Sequence, residues 1–413
     1  MKKERASHAY FLLSALLFFF FVTWSSSSSL LSIWLSQEIG LKPTDTGIIF
    51  SVLSISAFFA QIFYGFIQDK LGLRKNLLWF VAMLLILSGP AYLFFGYLLK
   101  INIILGSIFG GLFIGLTFNG GIGVLETYTD RAARNSNFEF GRARMWGSLG
   151  WAAATFFAGL LFNIDPRLNF YAASVSGLIF FFLLTKLNVK YSTDAASLNT
   201  QHSKISIEDA FSLLTLPRFW ALVFFFVGTC IYGVYDQQFP VYFSSQFPTL
   251  KEGNAMFGYL NSFQVFLEAA GMFCAPWFVN RIGAKNGLIF AGMVMAIRII
   301  SSGLVEGPLL ISITKLLHAV ELPVLLISIF KYNNLNFDKR LSSTLYLVGF
   351  ACTSSIIGTL LSPIAGWSYE TFGFAQSYLI MGSMVFTTTF ISIFLLRSAQ
   401  ASPEQSVTQA KPV

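Results

Sequence analysis

Charge is what this chain has least of: only 11% of its 413 residues are Asp, Glu, Lys or Arg, against about a quarter in a typical soluble domain. A chain so poor in charge cannot solvate the surface of an ordinary cytosolic enzyme, and no stretch of it is polar enough to form a sizeable soluble domain. Cysteine is also scarce. Cys230, Cys274 and Cys352 are odd in number, lie in apolar stretches and show no CxxC or Cys/His ligand spacing, so they read as buried packing residues and not as disulfide or metal ligands. HExxH, GxSxG, Walker A and a GxGxxG in a strand-turn-helix setting are all missing, which argues against a nucleotide-using enzyme or an ATP-driven pump. Neither an enzymatic activity nor a cofactor is expected.

What the chain has instead is apolar length. Hydrophobic residues make up 55%, with 47 Phe, and the mean hydropathy is +0.67. Runs such as AYFLLSALLFFFFVTW are too long and too uniformly apolar to be one face of a soluble core. The expected class is an all-α membrane protein whose partners include the lipid bilayer. Apolar runs read against Gly, Pro and charge give twelve spans at 9–35, 46–66, 76–99, 102–128, 144–163, 168–187, 219–246, 256–279, 287–305, 309–331, 341–367 and 373–397. The basic start followed by an apolar run reads as the first span and not as a cleavable signal peptide, because the run continues to Trp34 and Leu35 with no small-residue cleavage site.

The polar stretch 188–217 reads as a linker between an N-terminal six-helix bundle (1–187) and a C-terminal one (218–397), followed by a polar tail (398–413). Lys and Arg give the orientation. With the N-terminus inside, the outer loops hold only Lys42, Lys100, Arg167 and Lys251, while the inner segments collect the others that lie outside the spans, including Lys70, Arg74, Lys75, Arg131, Arg142, Arg281 and Lys285. This places both termini and the linker in the cytoplasm, and requires an even number of spans. The net charge of +8 follows from that bias, so no nucleic-acid partner is expected.

A repeat falls where the linker predicts it. GFIQDKLGLRKN (65–76) follows span 2 and PWFVNRIGAKNG (276–287) follows span 8, matching Asp69 to Asn280, Gly72 to Gly283 and Arg74 to Lys285. A helix C-cap with a basic turn explains one copy; two copies at the same place in each half are better explained by duplication. The loop formed by Gly65, Asp69, Gly72, Arg74 and Lys75 resembles the signature of the major facilitator superfamily. That resemblance implies two six-helix pseudo-symmetric bundles rocking about a central site, with this loop in the conformational change.

Eight ionisable residues fall within or at the edge of the spans: Glu126, Arg144, Asp236, Glu268, Arg298, Lys315, His318 and Glu321. Each fixed charge at mid-membrane costs roughly 2.5–3.5 kcal/mol on insertion scales, so the set must pair or face a wet cavity. Snorkelling near helix ends accounts for Arg144 and Glu126 taken alone. It does not account for KLLHAVE, where Lys315, His318 and Glu321 recur every third residue along one slowly rotating helical stripe. A desolvated carboxyl beside a His, within range of an Arg on another span, suits proton coupling; Glu321 is the expected proton carrier, with His318 and Arg298 tuning it. In the first half, Arg144, Ser148 and Trp151 share a helical face near Glu126. A carboxylate and a guanidinium fork suit vicinal hydroxyls, and an indole suits the C–H face of a pyranose. An ordinary ion pair with an interfacial Trp gives the same spacing.

The segments NSNFEFGRARMWGSLGW (135–151), QDKLGLRK, YDQQF (235–239), NRIGAKN, KLLHAVELP (315–323) and FDKRLSSTLYLVGF (337–350) together resemble the oligosaccharide:proton symporters, the family of lactose permease and sucrose permease. The resemblance implies that Glu126 and Arg144 are sugar ligands, that Trp151 stacks on the ring and that Asn119 adds a hydrogen bond. It also implies proton coupling through Arg298, His318 and Glu321 with Tyr232 nearby, and a charge pair between Asp236 and Lys315. Departures bear on the substrate. Val265 stands where lactose permease has an acid, with Glu268 three residues later as in sucrose permease, and Gly233 and Ser354 replace a second charged pair. Loss of both partners together leaves no orphan charge.

The function expected from all this is import of a disaccharide with a proton, energised by the proton gradient, by a functional monomer in a bacterial inner membrane. Sucrose is the first choice and galactosides such as lactose or melibiose the second, with Ser148 and Glu268 added to the sugar-binding set. A passive facilitator or a drug:proton antiporter of the same fold is the alternative. A non-transporting sensor is the least favoured, for want of a signalling domain.

Overall fold

The computed structural model describes residues 2–71, 74–136, 138–187, 213–337 and 345–397. Gly72, most of the expected linker 188–217 and the tail 398–413 lie outside the described residues, as does the side chain of Asp69.

The described chain is helical almost throughout. Ten stretches are long and apolar enough to cross a membrane, and Asn76–Ile86 with Ser88–Ile101 forms an eleventh, bent by 59°. One of the ten, Gly349–Leu395, doubles back at Gly373, whose φ of 81° and ψ of 165° are not helical. It therefore supplies two spans, and the twelve expected crossings are present. A positive φ is open to glycine without the Cβ penalty, and Gly283 (φ 87°) makes the same kind of corner between span 8 (Leu250–Ile282) and span 9 (Ala284–Leu304). Caps fix other starts. Asn102 accepts from the Leu105 N–H before span 4, Thr249 accepts from that of Glu252 before span 8, and Pro217 and Pro308 sit at the first helical turns of spans 7 and 10.

Continuous apolar runs gave no sign that several spans are broken. Span 1 stops at Ser28 and resumes at Leu31–Gln37. Span 4 passes through a π-helical turn at Gly115–Gly120 between Ile103–Ile114 and Gly121–Ser136. Span 7 breaks at Cys230, between Pro217–Thr229 and Ile231–Ser244, and span 10 at Leu317, between Pro308–Leu316 and His318–Asn336. Breaks therefore fall in spans 1, 4, 7 and 10, besides the bend in span 3, and span 11 also opens with a π-helical turn, Leu345–Ala351. Irregular backbone is tolerated at membrane depth only where it is buried in protein or lines a cavity, and broken spans 1, 7 and 10 share the cavity described below with the continuous spans 5 and 8.

Large apolar side chains such as Phe59, Phe273, Trp277, Leu309 and Phe394 are exposed around the outside, as a lipid-facing belt requires. Cys274 belongs to that exposed surface and Cys352 is only half-buried, leaving Cys230 as the buried one. The expectation of three buried cysteines is thus corrected for two, because an apolar stretch does not distinguish a lipid-facing position from a protein-facing one.

The two halves meet along span 2 (Pro43–Leu71) against span 11, and span 5 (Phe140–Ile164) against span 8. Their bridges gather at one end. Gln37 and Asn254 exchange side-chain amide hydrogen bonds of 3.1 and 2.9 Å, Asn254 also reaches Asn163, and Gln238 donates to the Pro43 carbonyl at 2.9 Å. Lys42 pairs with Glu370 at 3.1 Å, and Thr44 donates to the same carboxylate. Glycine makes the backbone contact there possible, since a Cβ at Gly159 would lie 2.2 Å from the Asn254 carbonyl oxygen. At the other end, Gly65, Gly123 and Gly141 face open space.

Candidate substrate cavity

Between the halves, below the bridged end, lies a cavity of about 380 Å³, within the size range of small-molecule sites. One wall comes from spans 1 and 5. Arg144, Ser148 and Trp151 all line it, because their spacing on span 5 puts them on one face. The Arg144 guanidinium binds the Glu126 carboxylate and lies over the Phe21 ring, 4.4 Å from its centroid. Both charged side chains are about one-third exposed, so the pair is partly wet and not sealed in protein. Trp151 is held edge-to-face against Trp24 at 5.6 Å, and Trp24 stacks on Phe118 at 5.8 Å. Ser25 fixes the backbone behind it, donating to the Trp151 carbonyl and bonding the Thr155 hydroxyl at 2.7 Å. The serine run in span 1 thus divides, with Ser25 packing spans 1 and 5 together while Ser28, Ser29 and Ser32 line the cavity.

The opposite wall comes from spans 7, 8 and 10 and is charged. Asp236, Glu268, Lys315 and His318 all line the same cavity. Behind them is an ion cluster. Asp236 Oδ1 accepts from Lys315 Nζ at 2.6 Å and from Arg298 Nη1 at 3.1 Å. Arg298 Nη2 stands 2.7 Å from Glu321 Oε1, and the same oxygen lies 2.9 Å from His318 Nδ1. Arg298 and Glu321 are completely buried. The cluster sets two cations, Arg298 and Lys315, against two carboxylates, Asp236 and Glu321, which is how so many buried charges are accommodated at once. Aromatic faces complete the cage: Arg298 lies over Tyr235 at 4.8 Å, Lys315 over Phe239 at 5.0 Å, and the Tyr232 ring sits 5.8 Å from that of His318. Among the described residues, Glu321 Oε2 has no hydrogen-bond partner.

The structure therefore brings together Arg144, Ser148, Trp151, Glu268, Asp236, Lys315 and His318, with Glu126, Arg298, Glu321 and Tyr232 one contact behind. Asn119 is the exception in the expected sugar set. It sits in the π-helical turn of span 4 and lines a neighbouring cavity with Ser354 and Gln61. Of the loop after span 2, Gly65 and Arg74 are exposed, and Lys75 Nζ donates to the Leu187 carbonyl at 2.6 Å, tying the end of span 6 to the start of span 3. In the second copy, Asn280 accepts from Lys331 Nζ at 2.6 Å.

Sequence reasoning missed Asn261 and Gln264, which line the cavity; Gln264 donates to Glu268 at 3.5 Å. The signal was there, since Asn261, Gln264 and Glu268 fall at i, i+3 and i+7 on span 8, a polar stripe in an apolar helix. Gln237, which also lines the cavity, had no such signal.

Two pseudo-symmetric bundles with a polar, two-sided cavity between them define a major facilitator transporter, and among the described residues no group of ligands suited to a metal interrupts it. The chain belongs to the LacY proton/sugar symporter family, whose model matches residues 2–411. It is 43% identical to the raffinose permease of Escherichia coli over 385 residues, covering 92% of this chain and 91% of that one. It is 41% identical to the sucrose permease of Escherichia coli (89% of each chain) and 39% identical to a lactose permease of Klebsiella oxytoca (89% and 90%). Among solved structures, the nucleoside transporter NupG superposes with a TM-score of 0.77 at 15% identity, covering 94% of this chain and 98% of that one. A D-xylose-proton symporter does so with 0.67 at 13%, covering 96% and 98%. These likenesses show the fold. The protein is a multi-pass membrane sugar permease and not an enzyme.

Proposed function

We propose that this permease is a proton symporter that imports a disaccharide by alternating access. The observation that carries the reading is the pairing, across one cavity, of a guanidinium–carboxylate–indole wall with a wall backed by the buried Arg298–Glu321–His318 cluster. Glu126 and Arg144 bind vicinal hydroxyls, Trp151 covers the apolar face of one ring, Ser148 and Glu268 add hydrogen bonds, and Asn119 joins them from its adjoining cavity as the halves close. Glu321 carries the proton. Asp236 already holds both Arg298 and Lys315, so protonating Glu321 leaves no cation without a partner, and its unpaired Oε2 is free to take the proton.

Residues 1–187 and 218–397 are proposed as the two rocking bodies, with 188–217 as their linker. With both termini in the cytoplasm of a bacterial inner membrane, the bridged end faces outward and the structure is inward-facing. The functional unit is a monomer and the energy source the proton gradient. Sucrose remains the first substrate and the galactosides melibiose and lactose the second: Glu268 follows the sucrose-permease pattern, while relatives named for raffinose and melibiose match equally well. Labelled sucrose, melibiose, lactose and raffinose offered to cells expressing the protein rank the substrates. Sugar added to de-energised cells should alkalinise the medium; uptake with no pH change means a passive facilitator, and acidification means an antiporter.

A further inference from the structure

Beside the ion cluster runs a second set of buried polar groups that neither wall uses. Tyr235 on span 7, Ser302 on span 9 and Thr314 on the first segment of span 10 join their hydroxyls in a row, 2.8 Å from Tyr235 to Ser302 and 3.1 Å from Ser302 to Thr314. Tyr235 and Ser302 are completely buried and Thr314 nearly so, and none of the three lines either cavity. Each stands beside a member of the cluster. Tyr235 precedes Asp236, Thr314 precedes Lys315, and Ser302 lies one turn beyond Arg298, whose carbonyl its hydroxyl reaches at 2.9 Å. The Arg298 guanidinium in turn lies over the Tyr235 ring.

The row has a direction. A serine hydroxyl donates once and accepts twice. Among the described residues the Tyr235 hydroxyl has no partner but Ser302, so Tyr235 donates, and Ser302 directs its own proton to the Arg298 carbonyl or to Thr314. A buried phenol without that acceptor is left unsatisfied, so the row holds spans 7, 9 and 10 in one register. Span 10 breaks at Leu317. The row therefore fixes the segment that carries Lys315, while His318 and Glu321 lie beyond the break. We infer that Tyr235 is a positioning residue for proton release: through Ser302 it holds Arg298 in place against Glu321. A cation fixed beside a carboxyl favours its ionised form, so a firmly held guanidinium helps the proton leave. The inference rests on the symport reading with Glu321 as the proton carrier, and adds to it a residue that touches neither sugar nor proton.

The test is transport of labelled sugar by the full-length protein in proteoliposomes, using whichever of sucrose, melibiose, lactose and raffinose the wild type exchanges fastest. Net efflux down a sugar gradient requires the proton to leave with the sugar, whereas exchange of internal for external sugar does not. Tyr235→Phe keeps the ring beneath Arg298 and deletes the donor. It should slow efflux about fivefold, the effect of one hydrogen bond, and leave exchange within about twofold. Ser302→Ala should slow efflux at least as much, because it strands the phenol, and Tyr235→Phe/Ser302→Ala should be no slower than Ser302→Ala, because both act through one bond. Tyr242→Phe loses a bond of 2.8 Å to the Ser302 carbonyl but none in the hydroxyl row, and should leave both rates near wild type. Thr314→Val opens the other end of the row and takes the place of Tyr235→Phe if gel filtration shows that variant to be aggregated. Unchanged efflux, an equal loss of efflux and exchange in a monodisperse variant, or losses that multiply in the double variant overturn the positioning role and leave the symport reading intact. A wild type that exchanges none of the four sugars, or whose efflux moves no proton, overturns the reading and the inference together.

Discussion

Removing one carboxylate from the buried cluster should cost more than removing that carboxylate together with one of its cations. Asp236 Oδ1 is shared by Lys315 at 2.6 Å and Arg298 at 3.1 Å, and the two cations are 7% and 0% exposed. Asp236→Asn strips charge compensation from both. Breaking a buried pair costs about 3–5 kcal/mol, and with two cations affected the upper end of that range applies. In Asp236→Asn/Lys315→Met, Arg298 keeps Glu321 at 2.7 Å and the methionine replaces the lysine stem against Phe239, so no buried charge is left over. The expected cost falls to about 1 kcal/mol, about 4 kcal/mol below that of Asp236→Asn alone, and the Lys315→Met single variant closes the cycle that gives the coupling. The assay is thermal unfolding of the purified protein in one detergent, in a background with Cys274 and Cys352 replaced by Ser, followed by reaction of a thiol dye with the buried Cys230, for the parent, both single variants and the double. A double variant no more stable than Asp236→Asn would refute the idea that charge balance, and not the hydrogen bond itself, holds this wall together.

Other substitutions separate the roles proposed for the two walls. Arg144→Lys should weaken sugar binding about a hundredfold, since a point charge cannot reproduce the guanidinium fork held by Glu126; binding by the purified protein measures it, and unchanged affinity would return Arg144 to an interfacial role. Glu321→Gln should abolish uphill accumulation while leaving sugar exchange in proteoliposomes, and intact accumulation would remove Glu321 as the proton carrier. Asn254→Ala deletes the reciprocal amide pair with Gln37 and the contact with Asn163. It should loosen the bridged end by about 1–3 kcal/mol, seen as faster labelling of a cysteine placed at Ser32; unchanged labelling means the bridged end is held by backbone contact alone.

Much of this architecture was legible because the bilayer enforces it. Length, the Lys/Arg bias and the repeated loop each report one constraint, and the twelve crossings follow. The Arg144, Ser148 and Trp151 face was readable because an unbroken helix converts spacing directly into direction, and span 5 is unbroken from Phe140 to Ile164. The same rule reaches less far where helices break. Lys315 and His318 straddle the interruption at Leu317, so their convergence on Asp236 depends on a kink that the apolar pattern does not announce. Asn119, named by the resemblance and not by spacing, lines the neighbouring cavity from the π-helical turn at Gly115–Gly120, where an extra residue enters the turn and the register of span 4 shifts. The cysteines failed differently, since lipid and protein interior are equally apolar.

The proposed symport also requires the two walls to sense one another, and the geometry restricts how. Arg144 belongs to one half and the Asp236–Arg298–Glu321 cluster to the other, so rigid rocking of the halves leaves each constellation internally intact and changes only the distance between them. A sugar held by both walls is therefore the element whose binding depends on that distance. Protonation acts within the second wall, where His318 and Lys315 stand both in the cluster and on the cavity surface. In the proposed mechanism, a proton on Glu321 Oε2 weakens the hold of Oε1 on His318 and lets the imidazole turn toward a sugar hydroxyl, so proton and sugar favour the same arrangement of one side chain. On this argument, His318→Gln should retain sugar exchange but weaken the dependence of sugar affinity on proton concentration. A variant with lost affinity and an unchanged proton dependence would show that His318 is a plain ligand and that the coupling runs through Glu268 instead.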